Sequence, residues 1–458
     1  MIRFLNVYYP TRTVLLLFFE IVLVIGSLLV STYALLGQDT YIALFYENGL
    51  AKLVGLAVLT ILLSYYFDLY EPQIVSAPTE VYFRILLILG VDCFLISAVT
   101  HFFPDLWIGH WVYALGLAVL VPALIFWRRI YEWICSHALF REKVYILGSG
   151  PQALSLVEEI SSRPHLGMDV TGSYTINSEH PERSRQWQEE LRRFARARKG
   201  VQRIVVALED NQDDLPVEEI LELRLQGVIV ETANKVRERI YGKVPLDGVR
   251  FSNFLEDEGF SARSSQRLAR RIASFAAAAI GLLLFLPLFP FVVLLVKASS
   301  KGPVFFRQKR VGMGGRDFYV VKFRTMCIDA EADGAQWATK NDPRVTAVGS
   351  FMRKTRLDEV PQLWNVLIGD MSFVGPRPER PEFVSWLSKE LPFYNLRSTV
   401  HPGLTGWAQV RYGYGASLSE TREKLEYDLY YVKHMCLGLD LLIMFETIKT
   451  IIRRRGAQ

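Results

Sequence analysis

A chain of 458 residues that is 51% hydrophobic and 13% aromatic is too apolar for an ordinary soluble enzyme, yet 22% charged residues exclude a bare bundle of membrane spans. Formal net charge is +5, with Lys and Arg gathered beside apolar runs, which suits an anionic membrane surface and phosphorylated substrates and speaks against nucleic acid, for which no motif is present. The four cysteines, Cys93, Cys135, Cys327 and Cys436, lack metal-ligand spacing and imply neither disulfides nor zinc.

Four apolar runs fill residues 1–135: Thr13 to Leu36, Leu50 to Phe67, Phe83 to His101 and Trp107 to Trp127, each long enough to cross about 30 Å of hydrocarbon. The first reads as an anchor, since no small-residue cleavage pattern follows it. Arg3 and Arg12 precede the set while Arg128, Arg129, Arg141 and Lys143 follow it, so the positive-inside bias predicts cytoplasmic ends on a four-helix membrane domain.

Residues 140–256 change character. Lys143-Val-Tyr-Ile-Leu-Gly148-Ser-Gly150-Pro-Gln-Ala153 reads as a buried strand, a glycine turn and a helix start; Arg203 to Leu208 and Gly227 to Val230 supply further strands between helical stretches. A small parallel, Rossmann-like α/β domain is expected. Gly148, Gly150 and Ala153 occupy G-x-G-x-x-A positions, where small residues admit a phosphate at a helix N-terminus. The acidic residue that a dinucleotide site wants about twenty residues on is missing from Val170-Thr-Gly-Ser-Tyr-Thr, which favours a structural role for the turn.

Residues 263–458 open with basic Arg263 to Arg271, an apolar run over 272–296 broken by Pro287 and Pro290, and then Lys297 and Lys301. A straight crossing would leave strongly basic loops on both faces, against the usual asymmetry. An interior proline removes a backbone hydrogen bond and costs about 3 kcal/mol unless a bend is intended. Together they predict a re-entrant helix, kinked at Pro287, that returns to the face it entered. Beyond it, Phe318-Tyr-Val-Val-Lys322-Phe-Arg324 reads as a strand that presents Lys322 and Arg324 on one side, two cations able to hold phosphate.

Asp358-Glu359 stands at an expected helix start, with Thr355 or Asp358 as cap, an apolar face of Val360, Leu363, Trp364 and Leu367, and Gly369 as the stop. Adjacent helical residues diverge by about 100°, so the two carboxylates cannot do the same job. A carboxylate at a positive helix end can bind Mg²⁺ or attack phosphorus.

The runs Lys322-Phe-Arg324-Thr-Met, Leu357-Asp-Glu-Val-Pro-Gln-Leu363, Asn365 to Pro378 with its Gly375-Pro-Arg377-Pro turn, and His401-Pro-Gly403-Leu-Thr-Gly406-Trp-Ala-Gln409 together resemble the bacterial sugar transferase family, the monotopic polyprenyl-phosphate phosphoglycosyl transferases. The whole chain is similar to the large undecaprenyl-phosphate glucose or galactose phosphotransferases: a membrane α-helical bundle, a Rossmann-like domain, and an α/β catalytic domain with a re-entrant membrane helix. Arg380-Pro-Glu382-Phe and Arg411-Tyr-Gly-Tyr-Gly-Ala416 resemble the exopolysaccharide branch of exosortase, PEP-CTERM type.

The resemblance implies transfer of sugar 1-phosphate from a UDP-sugar, glucose first and galactose second, to undecaprenyl phosphate at the cytoplasmic face of a bacterial inner membrane. It implies a covalent mechanism in which Asp358 attacks and Glu359 supports it, with Mg²⁺ held by the two. Arg377 is expected at the UDP diphosphate or uridine end, with Lys322, Arg324 and Arg353 behind it. Glu379, Asp370 and Gln409 are either supporting or plain structural groups, and Arg356 replaces the small residue common before Leu-Asp-Glu. Leu437 to Ile452, ending in Arg453 to Arg455, suits a helix docked on the inner leaflet. A soluble domain beside four spans suits a homodimer among membrane lipids. Two other readings fit parts of the chain: a membrane-tethered nucleotide-sugar oxidoreductase using the Gly148 turn, and a non-catalytic assembly scaffold.

Overall fold

The computed structural model describes residues 2–4, 6–71, 78–106, 109–137, 141–148, 151–163, 166–174, 202–207, 217–246, 258–260, 264–327, 342–413 and 417–452. Ser149, Gly150, Trp107, Arg263 and Arg453 to Arg455, which figure in the sequence reading, lie outside them. The chain forms two compact units, Met1–Ile2 with Tyr9–Ala233 and Arg3–Tyr8 with Asn234–Gln458.

The first unit begins with four long helices, α1 (Thr11–Leu36), α2 (Gly49–Tyr66), α3 (Pro78–Phe102) and α4 (His110–Ser136). All four are long and apolar enough to cross a membrane. Their outward faces carry Phe18, Val30, Val58, Phe83, Phe94 and Phe126, the reverse of a water-soluble surface. Val24, Leu28, Leu53, Ile85, Ile88, Leu120 and Leu124 fill the interior between them. Polar groups are kept inside the bundle. Ser27, Ser31 and Thr32 return their hydroxyls to carbonyls of their own helix, and Thr60 lies 2.6 Å from Asp92 across α2 and α3. Glu20 and Arg128 form a 2.7 Å ion pair, each side chain no more than 3% exposed, and Tyr70 donates to Glu20 at 2.7 Å.

A four-stranded parallel sheet follows: β1 (Glu142–Gly148), β2 (Met168–Tyr174), β3 (Arg203–Ala207) and β4 (Ile229–Thr232), in the order β2-β1-β3-β4. The segment at Val170 is thus a full strand on the far side of β1. Helices α5 (Pro151–Ser161) and α6 (Val217–Leu225) alternate with the strands, and buried Arg203 bridges Glu142 at 2.9 Å and Glu231 at 2.5 Å across three of them. Gly148 has a local reason to be glycine. A Cβ there would lie 2.1 Å from the Ala207 carbonyl oxygen, so the residue permits strand-to-strand contact. That supports the structural reading of the turn.

The second unit takes in α7 (Ala233–Tyr241) from Asn234 onward, because Glu238 holds Lys433 and His434, Lys243 holds Glu423 and Glu426, and Trp407 donates to the Gly242 carbonyl. Then come α8 (Ser264–Phe285), a turn through Leu286-Pro287-Leu288, and α9 (Phe289–Ser299). The break falls at the predicted proline. By length and composition α8 is a fifth helix able to cross a membrane. An antiparallel hairpin, β5 (Phe305–Val311) and β6 (Asp317–Phe323), leads to α10 (Ala347–Lys354) and α11 (Gln362–Ile368). Two short parallel strands, β7 (Ser372–Val374) and β8 (Gly403–Thr405), flank α12 (Pro381–Glu390), and α13 (Leu418–His434) and α14 (Leu437–Ile452) complete the unit.

One face of α8 lies on this unit along its whole length. Arg270 reaches Asp440 at 2.7 Å and also Tyr431; Ser274 meets Ser372 at 2.9 Å; Ala278 and Leu282 pack with Leu363 and Val366; Phe285 packs with Phe323. Phe289, past the turn, stacks near Phe305 and Phe323 as well. The opposite face, Leu268, Ile272, Phe275, Leu283 and Leu284, is exposed and apolar.

The buried Glu20–Arg128 pair offers a test of the bundle. Arg128→Leu leaves a carboxylate without its cation and should destabilise by roughly 3 kcal/mol or more, whereas Glu20→Leu with Arg128→Leu should recover most of that. Thermal unfolding of the detergent-solubilised chain measures both; equal losses in single and double variants would refute the account.

Candidate active site

The dyad lies on a 3₁₀ turn, Leu357–Glu359, immediately before α11. The expected cap is corrected here: α11 starts after Pro361 without a side-chain cap, and Thr355 instead returns its hydroxyl to the Phe351 carbonyl at the end of α10. Gly369 ends α11 with φ of 93°, as anticipated. Arg356 adopts a left-handed conformation, φ 58°, which turns the chain sharply so that Asp358 and Glu359 are both buried, 8% and 7% exposed.

The two carboxylates occupy opposite electrostatic conditions. Glu359 Oε1 accepts from Arg377 Nη2 at 2.7 Å and Lys322 Nζ at 3.2 Å, and its Oε2 from Arg356 Nη1 at 3.3 Å. Burial alone would raise its pKa, but these three cations outweigh it and hold the carboxyl well below the usual range. Asp358 Oδ1 is buried with no hydrogen-bond partner among the described residues. Burial, reinforced by the Glu359 charge, pushes the Asp358 pKa up to about 6 against the attraction of Lys322, Arg353 and Arg377. Burial also lowers the pKa of the Lys322 ammonium, in opposition to Glu359.

Each cation comes from a different segment. Lys322 projects from β6; Asn365 of α11 accepts from the Val321 N–H at 3.1 Å and donates to the Tyr319 carbonyl at 2.8 Å, which fastens that strand to the dyad's helix. Arg377 rides the turn after β7. Gly375 and Gly403 let that turn cross β8 backbone to backbone: a Cβ on Gly375 would meet the His401 carbonyl oxygen at 2.3 Å, and one on Gly403 the Gly375 nitrogen at 2.1 Å. Beneath it Arg397 donates to the Arg377 carbonyl at 2.8 Å while it pairs with Asp428, also at 2.8 Å.

Of the residues singled out in the sequence, Asp358, Glu359, Lys322, Arg377 and Arg353 come together. Arg353 bonds Thr325 Oγ1 at 3.0 Å, and its charge reaches Asp358. Arg324 turns elsewhere, toward the Ser300 carbonyl at 2.7 Å. Glu379 pairs with Arg310 at 3.3 Å, Asp370 accepts from Asn365 at 3.4 Å, and Gln409 donates to the Leu404 carbonyl at 3.4 Å. Arg310, Asn365, Arg397 and Asp428 were not found from sequence, because the contacts that join them to distant segments span 20 to 69 positions.

A family description, bacterial sugar transferase, matches residues 265–454, the segment that holds this site. The UDP-glucose:undecaprenyl-phosphate glucose-1-phosphate transferase of Xanthomonas campestris pv. campestris is 31% identical over 375 residues, 77% of this chain and 75% of that protein. The chain belongs to the bacterial sugar transferase family. As a member it is a polyprenyl-phosphate phosphoglycosyl transferase. The Escherichia coli (strain K12) protein of the same name as the Xanthomonas one is 32% identical to this transferase over 340 residues, 69% of each chain. The UDP-N-acetylgalactosamine-undecaprenyl-phosphate N-acetylgalactosaminephosphotransferase of Aeromonas hydrophila is 51% identical over 189 residues, 41% of this chain and 45% of its own length.

Since Asp358 titrates near 6 in the fold and near 3.8 when free, the folded transferase holds the extra proton between those values. Stability therefore falls as pH rises through that window, by up to about 3 kcal/mol. Asp358→Asn should raise the melting temperature at pH 7.5, and the gain should shrink toward pH 4.5; a variant that melts lower than wild type at both would contradict the assignment.

Proposed function

We propose that the transferase moves a sugar 1-phosphate from a UDP-sugar to undecaprenyl phosphate, with release of UMP, as the first membrane step of exopolysaccharide synthesis. The observation that carries the reading is the buried, unpartnered Asp358 oxygen beside a Glu359 whose charge three cations already balance. Asp358 Oδ1 attacks the sugar-bearing phosphorus; the bond to UMP breaks, and the leaving phosphate takes the electron pair. The lipid phosphate oxygen then displaces Asp358, which regains its carboxylate. Glu359 keeps Arg377 and Lys322 in place for the diphosphate oxygens, where transferring charge needs compensation. Arg353 adds positive charge on the Asp358 side.

Mg²⁺ fits this site through one carboxylate. Mg²⁺ is commonly held by one or two carboxylates together with substrate phosphates. The ion would take the Asp358 oxygen that does not attack, since both Glu359 oxygens face cations. When bound, the ion supplies neutralisation of the diphosphate charge.

UDP-glucose is the first donor choice, from the relatives that align over most of the chain. A second reading, UDP-N-acetylgalactosamine, is favoured by the 51% identity over 189 residues to the Aeromonas hydrophila protein. The site belongs at the cytoplasmic face of the inner membrane, with α8 and α9 forming a re-entrant hairpin. The support is the close fit of α8 to the catalytic unit along its length with its far face apolar.

Purified transferase in detergent with Mg²⁺, undecaprenyl phosphate and a panel of UDP-glucose, UDP-galactose and UDP-N-acetylgalactosamine should release UMP with one donor. Asp358→Asn should lose at least about 10³-fold. Activity should fall about tenfold per pH unit below pH 6, as the attacking carboxylate takes its proton. No UMP with any donor, or full release by Asp358→Asn, would end the proposal. Cysteines placed at Arg267 and Lys301 should be labelled from the same side of sealed vesicles; labelling from opposite sides would replace the hairpin with a crossing.

A further inference from the structure

Arg324 is buried, 7% exposed, yet its Nε and Nη1 have no hydrogen-bond partner among the described residues and its charge meets no carboxylate there. Its one side-chain bond runs from Nη2 to the Ser300 carbonyl at the end of α9, while its backbone N–H extends the β5–β6 pairing to Val304. A buried guanidinium without a counter-charge is costly, and the cost is relieved when an anion arrives. The backbone bond to Val304 continues the ladder one residue past Phe323, so Arg324 follows Lys322, which touches Glu359, at a spacing of two. Along the chain the order is the dyad's lysine, then Arg324 at the foot of the membrane helix α9, whose outward residues Phe291, Leu294 and Leu295 are exposed and apolar.

We infer that Arg324 receives the phosphate of the acceptor lipid, at a position distinct from the Arg377 and Lys322 pair that faces the donor's diphosphate. The inference rests on the transferase reading above. The ligand class is a phosphate monoester on a hydrocarbon chain: the fork takes two phosphate oxygens through Nε and Nη1, and the chain lies along the apolar flank of α9. Arg324 thus places the incoming oxygen on the membrane side of Asp358. A bond to Ser300 alone would make Arg324 only a cap for the end of α9, a role that uses one of its five donors.

Steady-state kinetics separate the two roles. Arg324→Met should raise KM for undecaprenyl phosphate by about ten- to hundredfold while KM for the UDP-sugar stays within about twofold; Arg324→Lys should fall between. Equal effects on both substrates, or a lowered melting temperature with acceptor KM unchanged, would overturn the inference. A second arm needs no turnover. In nanodiscs of neutral lipid, undecaprenyl phosphate should raise the melting temperature of Asp358→Asn, and adding Arg324→Met should abolish the rise. A similar Arg324-dependent rise with phosphatidylglycerol alone would assign the site to bulk headgroups and overturn the acceptor role. Absence of UMP from wild-type enzyme with every donor would instead defeat the underlying transferase reading.

Discussion

The catalytic unit is organised around one electrostatic problem, two adjacent carboxylates taken out of water. Like charges that close cannot both be ionised unless something compensates them. The fold places Lys322, Arg356 and Arg377 in contact with Glu359, so that one member of the pair is fully paired and the other is left with an unpartnered oxygen. Because the three cations come from a strand, a left-handed turn and a Gly-Pro-Arg-Pro corner, that single residue also joins three segments. The asymmetry leaves Asp358 the more basic of the two carboxylates. A buried carboxylate with pKa near 6 is ionised at neutral pH yet more basic than one in water.

Rigidity behind Arg377 is as consequential as the contact itself. Gly375 and Gly403 let two backbones cross at distances no side chain permits, and Arg397, anchored by Asp428, holds the Arg377 carbonyl from below. An arginine on a mobile loop would have to be ordered at each turnover, at a cost in side-chain entropy that such a corner removes in advance.

The four apolar helices, the break at Pro287, the parallel strands at Lys143, Arg203 and Gly227 and the union of Asp358, Glu359, Lys322 and Arg377 were legible in the sequence, whereas the edge strand Met168–Tyr174 and the pairing order were not. Each legible feature rests on local pattern: run length, proline placement, apolar strands, or motif. The cap at the dyad was misread because Asp358 looks like an N-cap by position, whereas Arg356 in a left-handed turn starts a 3₁₀ segment and buries the carboxylate instead. Arg310, Asn365 and the Arg397–Asp428 pair were hidden because they act through contacts between distant segments, which no local periodicity encodes. Arg324 looked equivalent to Lys322 from their spacing. Its bond to Ser300 shows that the two cations reach different partners, Lys322 the Glu359 carboxylate and Arg324 the end of α9.

An exposed apolar surface and the site meet in α8 and α9. A helix crossing a bilayer alone would expose apolar residues on all sides, but α8 carries Arg270, Ser274 and Ala278 on the face that meets the catalytic unit and Ile272, Phe275 and Leu283 on the other. That division suits a helix with protein on one side and hydrocarbon on the other. Phe285 before the turn and Phe289 after it both pack on Phe323, the residue between Lys322 and Arg324. The strand that carries Lys322 is therefore braced directly against the apolar turn at Pro287.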